Sequence, residues 1–364
     1  MELVNATRMV AGYTMGMEPS GRELLVIVVK GTFQLPRNGE ALRLLEMQQP
    51  LAMADTFTGE AGLSAPYHEV DFAPRKPRCD VLLQGRAYAP QGRPVSRVPV
   101  GLRIGQWSKS FAVVGDRHWQ SRLTGVTASE PVPFSVQNIG YDVAFGGRDL
   151  RGDDPAGHAA YAANPVGRGF HKQLKGAWVD GSPMPNTEEL NRRVATPEGN
   201  YAPMAYGPVG RAWEPRMGFA GTYDQRWLDD YFPFLPPDFD EQYYQAAPRD
   251  QQLPQAPGEQ EVSLVNLTPD GARTFVLPHF DAPIHIFTRG GGREDVNASL
   301  DTVFFEPDLE RFTMTWRACR PLKKNMFEIS QVVVGRRGRE WWQQRAVEFP
   351  IPVVTVPAEP EMEA

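Results

Sequence analysis

The chain has few of the residues and segments that usually reveal a protein's chemistry. Among 364 residues there are two cysteines, Cys79 and Cys319, and neither lies in a CxxC or Cys/His cluster. A disulfide framework or a structural zinc site therefore has no support. We expect two reduced, packed thiols, while a single bridge between them stays compatible with the sequence.

Long apolar runs are also missing. No segment reaches the roughly 18 apolar residues that a membrane-spanning helix needs, and residues 1–20 lack the apolar stretch of a cleavable signal. We therefore expect a cytoplasmic protein without membrane insertion.

The chain has no excess of positive charge. The chain has 38 Lys and Arg against 44 Asp and Glu, which gives a formal charge of −6. Because this balance creates no overall positive field, it does not favour nucleic acid or anionic lipid as a partner. Proteins or small molecules are the expected partners.

Known catalytic and cofactor motifs are lacking. There is no P-loop, nucleophile elbow, zinc-protease helix, EF-hand loop or dinucleotide fingerprint. The three glycines at 290–292 lack P-loop spacing and predict a hairpin tip instead. His279 and His285 are isolated, which favours structural roles over metal binding. We predict no cofactor, no metal and no enzymatic activity.

Glycine and proline are plentiful, with 34 of each, which favours many turns over long helices. The β-branched run at 24–29 predicts a strand buried on both faces, and the alternation at 81–89 predicts a half-exposed strand. Further strands are predicted at 98–104, 111–114, 261–267, 274–277, 284–288, 300–305, 312–317 and 329–335. The expected fold is mainly β, with an antiparallel sandwich-like or barrel-like core.

Two strands carry more detailed predictions. Pro99 lacks an N–H group and so predicts a position towards a sheet edge. Apolar residues alternate strictly at 312–316, which predicts one dry and one wet sheet face.

Residues 148–257 are rich in loops and aromatic side chains. We interpret them as an irregular insertion, carrying short helices, in a single domain at 1–356. Asp224 is placed to start one helix, and the aromatic residues around Trp227 are interpreted as packing within the insertion. Residues 357–364 are predicted to form a disordered acidic tail.

Two segments concentrate functional groups. At 115–119, a pair between Asp116 and Arg117, or between an arginine and another carboxylate, would organise a corner that Trp119 covers. Residues 141–170 combine glycine, arginine and aromatic residues, which predicts an ordered crossing loop or a recognition surface. The candidate structural or partner-binding residues are Asp116, Arg117, Trp119, Tyr141, Phe145, Gly146, Gly147, Arg148, Asn164, Arg168, Phe170 and Trp227.

An ordered set of motifs resembles a family of unknown function that is encoded beside type VI secretion spike genes. The matching segments are 76–80 with its strand to 89, 115–119, 141–147, 164–170, 221–224 with 227–228, 235–240, 247–252, 300–303 and 316–317. The resemblance covers roughly residues 20–335. It implies a non-enzymatic cytoplasmic adaptor or chaperone that loads an effector, often one with a PAAR-like tip, onto the VgrG spike. No catalytic residues come with the resemblance.

Two other functions stay open. A β-rich hydrolase acting on carbohydrate or cell-wall material would need two carboxylates at a defined separation in a cleft, with Asp116, Asp142 and Asp149 as first candidates. A structural component of the secretion particle is the second alternative.

We predict that replacing Gly146 or Gly147 by valine impairs folding before it selectively impairs binding, because glycine permits backbone conformations that valine resists. Thermal unfolding and partner capture on the same variants check this order. A well-folded variant that loses only its partner would contradict it.

Overall fold

Strands provide most of the regular structure. The computed structural model describes residues 1–348, with side-chain surroundings described to residue 344. Strands hold 39% of the residues and helices 12%, which confirms the mainly β fold. The predicted tail at 357–364 lies outside the described residues.

The described elements follow in chain order. The first twelve strands are β1 Glu2–Asn5, β2 Val10–Met17, β3 Glu23–Gln34, β4 Thr56–Phe57, β5 Pro66–His68, β6 Cys79–Leu83, β7 Gly85–Tyr88, β8 Arg97–Ile104, β9 Trp107–Val114, β10 Trp119–Arg122, β11 Gly125–Ala128 and β12 Val136–Ile139. The other twelve are β13 Phe145–Gly146, β14 Arg148–Asp149, β15 Ala159–Ala160, β16 Arg168–Gly169, β17 Thr187–Glu188, β18 Gln252–Leu253, β19 Glu261–Val265, β20 Ala272–Val276, β21 Ala282–Thr288, β22 Arg293–Glu306, β23 Arg311–Pro321 and β24 Ile329–Val334.

The helices are short. The α-helices are α1 Gly176–Val179, α2 Glu214–Met217, α3 Gln225–Asp230 and α4 Arg339–Glu348. Single 3₁₀ turns occupy Pro90–Gly92, Tyr141–Val143, Pro155–Gly157, Glu241–Tyr244, Arg249–Gln251, Pro307–Leu309 and Met326–Glu328. Of the helices within residues 1–348, none is long and apolar enough to cross a membrane.

Two sheets form the core. The larger one has the order β1-β24-β21-β22-β23-β3-β2, with β6 added on β22 and β18 on β6, and it curls into a nearly closed barrel-like sheet. The second has the antiparallel order β17-β9-β8-β19-β20. The β1–β24 and β6–β22 pairs are parallel, a feature that the antiparallel prediction lacked.

One apolar core joins the two sheets. Phe275 of β20 lies with its ring centroid 6.3 Å from that of Phe305 on β22 and 5.5 Å from that of Phe312 on β23. All three side chains are buried, and each such side chain contributes about 1.5–3 kcal/mol through removal of apolar area from water. The sandwich-like packing thus depends on side chains from both sheets.

Strand β3 confirms the prediction of a strand buried on both faces. Leu25, Ile27 and Val29 pack into the main core, whereas Leu24 and Val26 pack into a separate cluster on the opposite face. Because both faces are covered, the run needs no polar alternation.

The half-exposed strand predicted at 81–89 is wrong in two respects. The segment forms two strands, β6 and β7, and all five residues of β6 are buried. Val81 and Leu83 face the main core, while Leu82 packs against Ala246 of the insertion. The second face is dry because the insertion covers it.

The wet face predicted for residues 312–316 is also wrong. Thr313 and Thr315 are 4% and 3% exposed, respectively. They line a small internal space of about 30 Å³ together with charged side chains from the segment that precedes β6. The polar face of β23 is therefore covered by other polar groups of the chain.

We call this covering set the ion-pair layer. Its members are Lys30, Asp71, Lys76, Asp80, Asp301 and Arg317. The nitrogen–oxygen distances are 2.8 Å for Lys30–Asp71, 2.8 Å for Lys76–Asp80 and 2.5 Å for Arg317–Asp301. Arg317 also donates to the Ala73 carbonyl at 2.7 Å, so the layer joins the covering segment to β23.

Pro99 does not mark an edge strand. Its strand β8 lies between β9 and β19 inside the five-stranded sheet. Pairing with β19 begins only at Gly101, opposite Val265, so the missing N–H at Pro99 breaks no hydrogen bond on that side. The Asn266 side-chain amide donates to the Pro99 carbonyl at 2.9 Å.

Both cysteines are free, as expected. Cys79 is buried and Cys319 is half-buried. Burial raises the pKa of Cys319 to about 11, which keeps this thiol protonated and weakly reactive at neutral pH.

We predict that Arg317→Met lowers the free energy of unfolding by about 3–5 kcal/mol, because it leaves the Asp301 carboxylate buried without its cation. Urea unfolding measures the change. Arg336→Met is the matched control, since Arg336 pairs with Asp281 at an exposed site, and a change within about 0.5 kcal/mol is expected. Equal losses in both variants would contradict the assignment.

Candidate functional site

The corner at 115–119 is held by an arginine pair to a distant carboxylate. Arg117 donates to Glu188 at 3.1 Å, whereas Asp116 lies 3.7 Å from the Arg168 guanidinium. Asp116 and Arg117 therefore do not pair with each other, and each pairs instead with a residue farther along the chain. Trp119 is fully buried and donates its indole N–H to the Gly169 carbonyl at 2.9 Å, which ties the corner to the crossing segment.

Asn164 organises the crossing segment at 141–170. Its buried side-chain amide donates to the carbonyls of Tyr141 at 2.9 Å and Phe145 at 3.1 Å. Strand β13 pairs in parallel with β16 directly beside it. These bonds close the loop on itself and satisfy backbone carbonyls of buried residues.

Gly146 and Gly147 of this segment lie against backbone. A Cβ atom on Gly146 would lie 2.1 Å from the Asn164 carbonyl oxygen, and one on Gly147 would lie 2.6 Å from that of Gly167. Their φ angles are +152° and +111°. Any side chain at either position therefore strains the loop, which is the physical basis of the valine prediction.

The aromatic residues of the crossing segment are packed inside. Phe145 is fully buried with its ring 4.9 Å from Tyr201, and Tyr141 is buried against Trp213 at 5.2 Å. Phe170 packs at the edge of the same cluster as Phe145. This placement favours a structural role for these three candidates over a role in direct partner contact.

The arginines of the segment are closer to solvent. Arg148 is exposed and donates to the Gly62 carbonyl at 3.0 Å, while Arg168 is partly exposed beside Asp116. The hydrogen bond from Asn186 lowers the pKa of Asp116. These side chains form the polar rim of the corner.

Trp227 lies in a different part of the molecule, on α3. It belongs to a group of large apolar side chains at or near the surface of the insertion. We call the following group the aromatic projection: Tyr223, Trp227, Leu228, Tyr231, Phe232 and Phe234. The exposed fractions of Tyr223, Leu228, Phe232 and Phe234 are 56%, 53%, 63% and 45%. The interpretation of the helical stripe as packing within the core or the insertion is therefore wrong for Tyr223 and Leu228, the two exposed members of that stripe.

Short-range hydrogen bonds order the aromatic projection. The Asp224 side chain accepts from the Trp227 N–H at 2.9 Å and caps α3, as predicted. The Trp227 indole donates to the Phe234 carbonyl at 2.9 Å, and Asp238 accepts from the Thr222 N–H at 3.0 Å. The loop around the rings is thus ordered by bonds within the chain itself.

The rings also support one another. Tyr223 lies edge-on to Trp227 with centroids 4.8 Å apart, and Phe232 lies edge-on to the same indole at 5.6 Å. Exposed aromatic side chains held in fixed positions are typical of protein-binding hot spots. The sequence signal was the density of aromatic residues and prolines at 223–239, but sequence alone did not show that they face solvent.

Charge around the aromatic projection is strongly negative. Residues 222–241 contain six carboxylates and a single cation, Arg226. Glu241 pairs with Arg75 at 3.1 Å, but Asp224 and Asp229 are exposed. A partner for this surface should therefore combine an apolar segment with basic residues.

A separate cleft of about 330 Å³ brings three carboxylates together, those of Asp142, Glu306 and Asp308. Asp142 accepts from the Ala65 N–H at 2.8 Å, and Asp308 accepts from Arg86 at 2.9 Å. The other two hydrolase candidates do not line this cleft: Asp116 lies at the corner, and Asp149 binds Arg151 at 3.0 Å.

Glu306 is held as an anion. Burial raises its pKa, but the His68 imidazole, whose Nε2 lies 3.6 Å away, and the hydrogen bond from Arg311 at 2.6 Å outweigh this effect and lower the pKa to about 2. Tyr67 donates to the same carboxylate at 3.0 Å. A general acid needs a raised pKa, so Glu306 does not fit that role.

No group of three His, Cys, Asp or Glu side chains within residues 1–348 is placed to hold a metal ion. His279 lies 3.2 Å from Asp281, and His285 lies 2.8 Å from Asp295. Each of these two histidines thus has a carboxylate partner.

Comparison with known proteins yields one match. A family model described as an uncharacterized protein conserved in bacteria (DUF2169) matches residues 20–317. No curated protein and no solved structure matches the chain. The match agrees with the resemblance to a bacterial family of unknown function, and the link to type VI secretion stays a prediction.

We predict that Glu306 makes stability depend on pH in acid. Its folded pKa of about 2 lies below the ordinary value of 4.5, so its contribution is complete above about pH 4.5 and is lost as the pH falls towards 2. Glu306→Gln should therefore destabilise the protein at neutral pH, by about 3 kcal/mol. Urea unfolding from pH 6 to pH 2 tests whether the difference in unfolding free energy between the two proteins disappears in acid. A difference that stays constant would contradict the role given to Glu306.

Proposed function

We propose that the chain, which belongs to the bacterial family whose model it matches, is a non-enzymatic adaptor or chaperone. It binds a type VI secretion effector, or the effector's PAAR-like tip, in the cytoplasm and promotes loading onto the VgrG spike. The resemblance in ordered motifs supplies the secretion context. The aromatic projection supplies the binding surface.

The observation that carries this proposal is the exposure of the ordered aromatic projection. Phe232 has 63% of its surface exposed although its ring packs against Trp227. An apolar group in that position gains free energy when a partner covers it, at about 25 cal/mol per Å² of apolar area. Since the loop is already fixed, little conformational entropy is lost on binding.

The candidate residues at 115–119 and 141–170 support this function indirectly. Trp119, Phe145 and Asn164 are buried, so they maintain the insertion and do not touch a partner that leaves the fold intact. Arg148 and Asp116 are the exposed members of the set and are the ones that a larger partner surface would reach.

We predict that Phe232→Ala weakens effector capture by about thirtyfold, the effect of losing a hot-spot side chain, while the free energy of unfolding changes by less than about 0.5 kcal/mol. The test is co-purification of the tagged chain with the PAAR-like effector encoded beside a VgrG gene in the same bacterium, followed by effector secretion with and without the chain.

Phe327→Ala is the matched control. Phe327 is 71% exposed on the 3₁₀ turn Met326–Glu328, outside the aromatic projection. Its replacement should therefore leave effector capture unchanged. A folded Phe232→Ala variant that captures and secretes the effector normally would overturn the assignment of this surface.

A further inference from the structure

We propose that the groove beside the aromatic projection binds a proline-rich segment that carries arginine or lysine, in the polyproline II conformation. The inference rests on the proposed function, because the groove lies on the same surface. The groove has a volume of about 320 Å³ and is lined by Trp227, Tyr231 and Pro237, by the carboxylates of Asp224 and Asp238, and by one cation, Arg226.

The lining fits a polyproline segment by shape. The flat rings of Trp227 and Tyr231 and the ring of Pro237 offer rigid apolar surfaces beside the Arg226 side chain. Proline rings pack on such surfaces, and a polyproline II segment is already extended, so ordering it costs little entropy.

The available hydrogen-bond donor also fits. The Trp227 indole N–H is occupied by the Phe234 carbonyl, whereas the Tyr231 hydroxyl makes no hydrogen bond to any of the described residues. A polyproline II backbone has no internal hydrogen bonds, so its carbonyl oxygens are free to accept from this hydroxyl. A helical or paired β segment would present carbonyls that are already bonded.

Charge indicates the flanking residues of the segment. Asp224 uses one carboxylate oxygen to cap α3, and its second oxygen makes no hydrogen bond to the described residues. Asp229 is exposed on the same short helix, whereas Asp230 lies 3.7 Å from Arg226, the single cation within 222–241. The carboxylates left for a partner are therefore those of Asp224 and Asp229. An arginine at either end of a proline-rich segment would meet these carboxylates.

The test is fluorescence anisotropy with three labelled peptides and the purified full chain. The first is a run of prolines with an arginine at each end, the second replaces the prolines by alanine, and the third replaces the arginines by glutamate. We expect the first peptide to bind about tenfold more tightly than either of the others. Its affinity should fall as salt concentration rises.

Three variants assign the groups. Tyr231→Ala should weaken binding of the first peptide by about tenfold, and Tyr231→Phe should show part of that loss because only the hydroxyl is removed. Asp224→Asn keeps a residue that caps helices well but removes the charge, so it should weaken binding and reduce its salt dependence. Asp153→Asn, at an exposed position outside the groove, should change neither.

Several outcomes would overturn the inference. One is that the alanine peptide binds as tightly as the proline peptide, and another is that Tyr231→Ala binds the proline peptide as tightly as the unchanged chain. A third is a sedimentation result in which a second copy of the chain covers the groove and the peptide does not displace it. Any of these would assign the groove to another occupant.

Effector capture separates this inference from the proposed function. If Phe232→Ala loses the effector but no proline peptide binds, the adaptor role stands and the polyproline assignment is wrong. If the peptide binds in the groove but effector capture does not depend on Phe232 or Tyr231, the groove is a polyproline site and the adaptor surface lies elsewhere.

Discussion

The covered polar face of the large sheet is the constraint on which the rest of the structure depends. Asp80 is fully buried and accepts hydrogen bonds from Lys76 at 2.8 Å, from the Gln245 side chain at 2.6 Å and from the Ala246 N–H at 2.8 Å. An ionised carboxylate in that position is tolerable only when its charge and its lone pairs are matched. The ion-pair layer therefore holds one end of the insertion on the sheet.

The buried Arg216 side chain also holds the insertion in place, close to the aromatic projection. Arg216 donates to the Val209 carbonyl at 2.9 Å and to the Tyr243 carbonyl at 2.6 Å, and it lies 2.7 Å from Glu69. The loop that carries the exposed rings thus begins and ends at buried polar anchors. The segment has little regular structure, yet it presents apolar side chains in fixed positions. The free energy that offsets the cost of ordering it comes from these anchors and not from helix propensity.

The residues that stand out most in the sequence serve the architecture. Gly146, Gly147, Asn164 and Trp119 meet where backbone segments approach closely, and each has a hydrogen bond or a steric reason for its identity. The surface assigned to binding contains fewer such constraints. Trp227 combines a side-chain hydrogen bond with partial exposure, and it was the one member recognised as a candidate from sequence.

Sequence periodicity by itself determined the β class, most strand positions and the helix cap at Asp224, because these depend on neighbouring residues along the chain. It failed at Thr313 and Leu82, where burial depends on segments far away in sequence. Which aromatic residues face solvent was decided only in three dimensions. Trp119 and Phe232 are both aromatic residues next to turns, yet one lies under the corner and the other on the surface, because only long-range packing determines what covers a side chain.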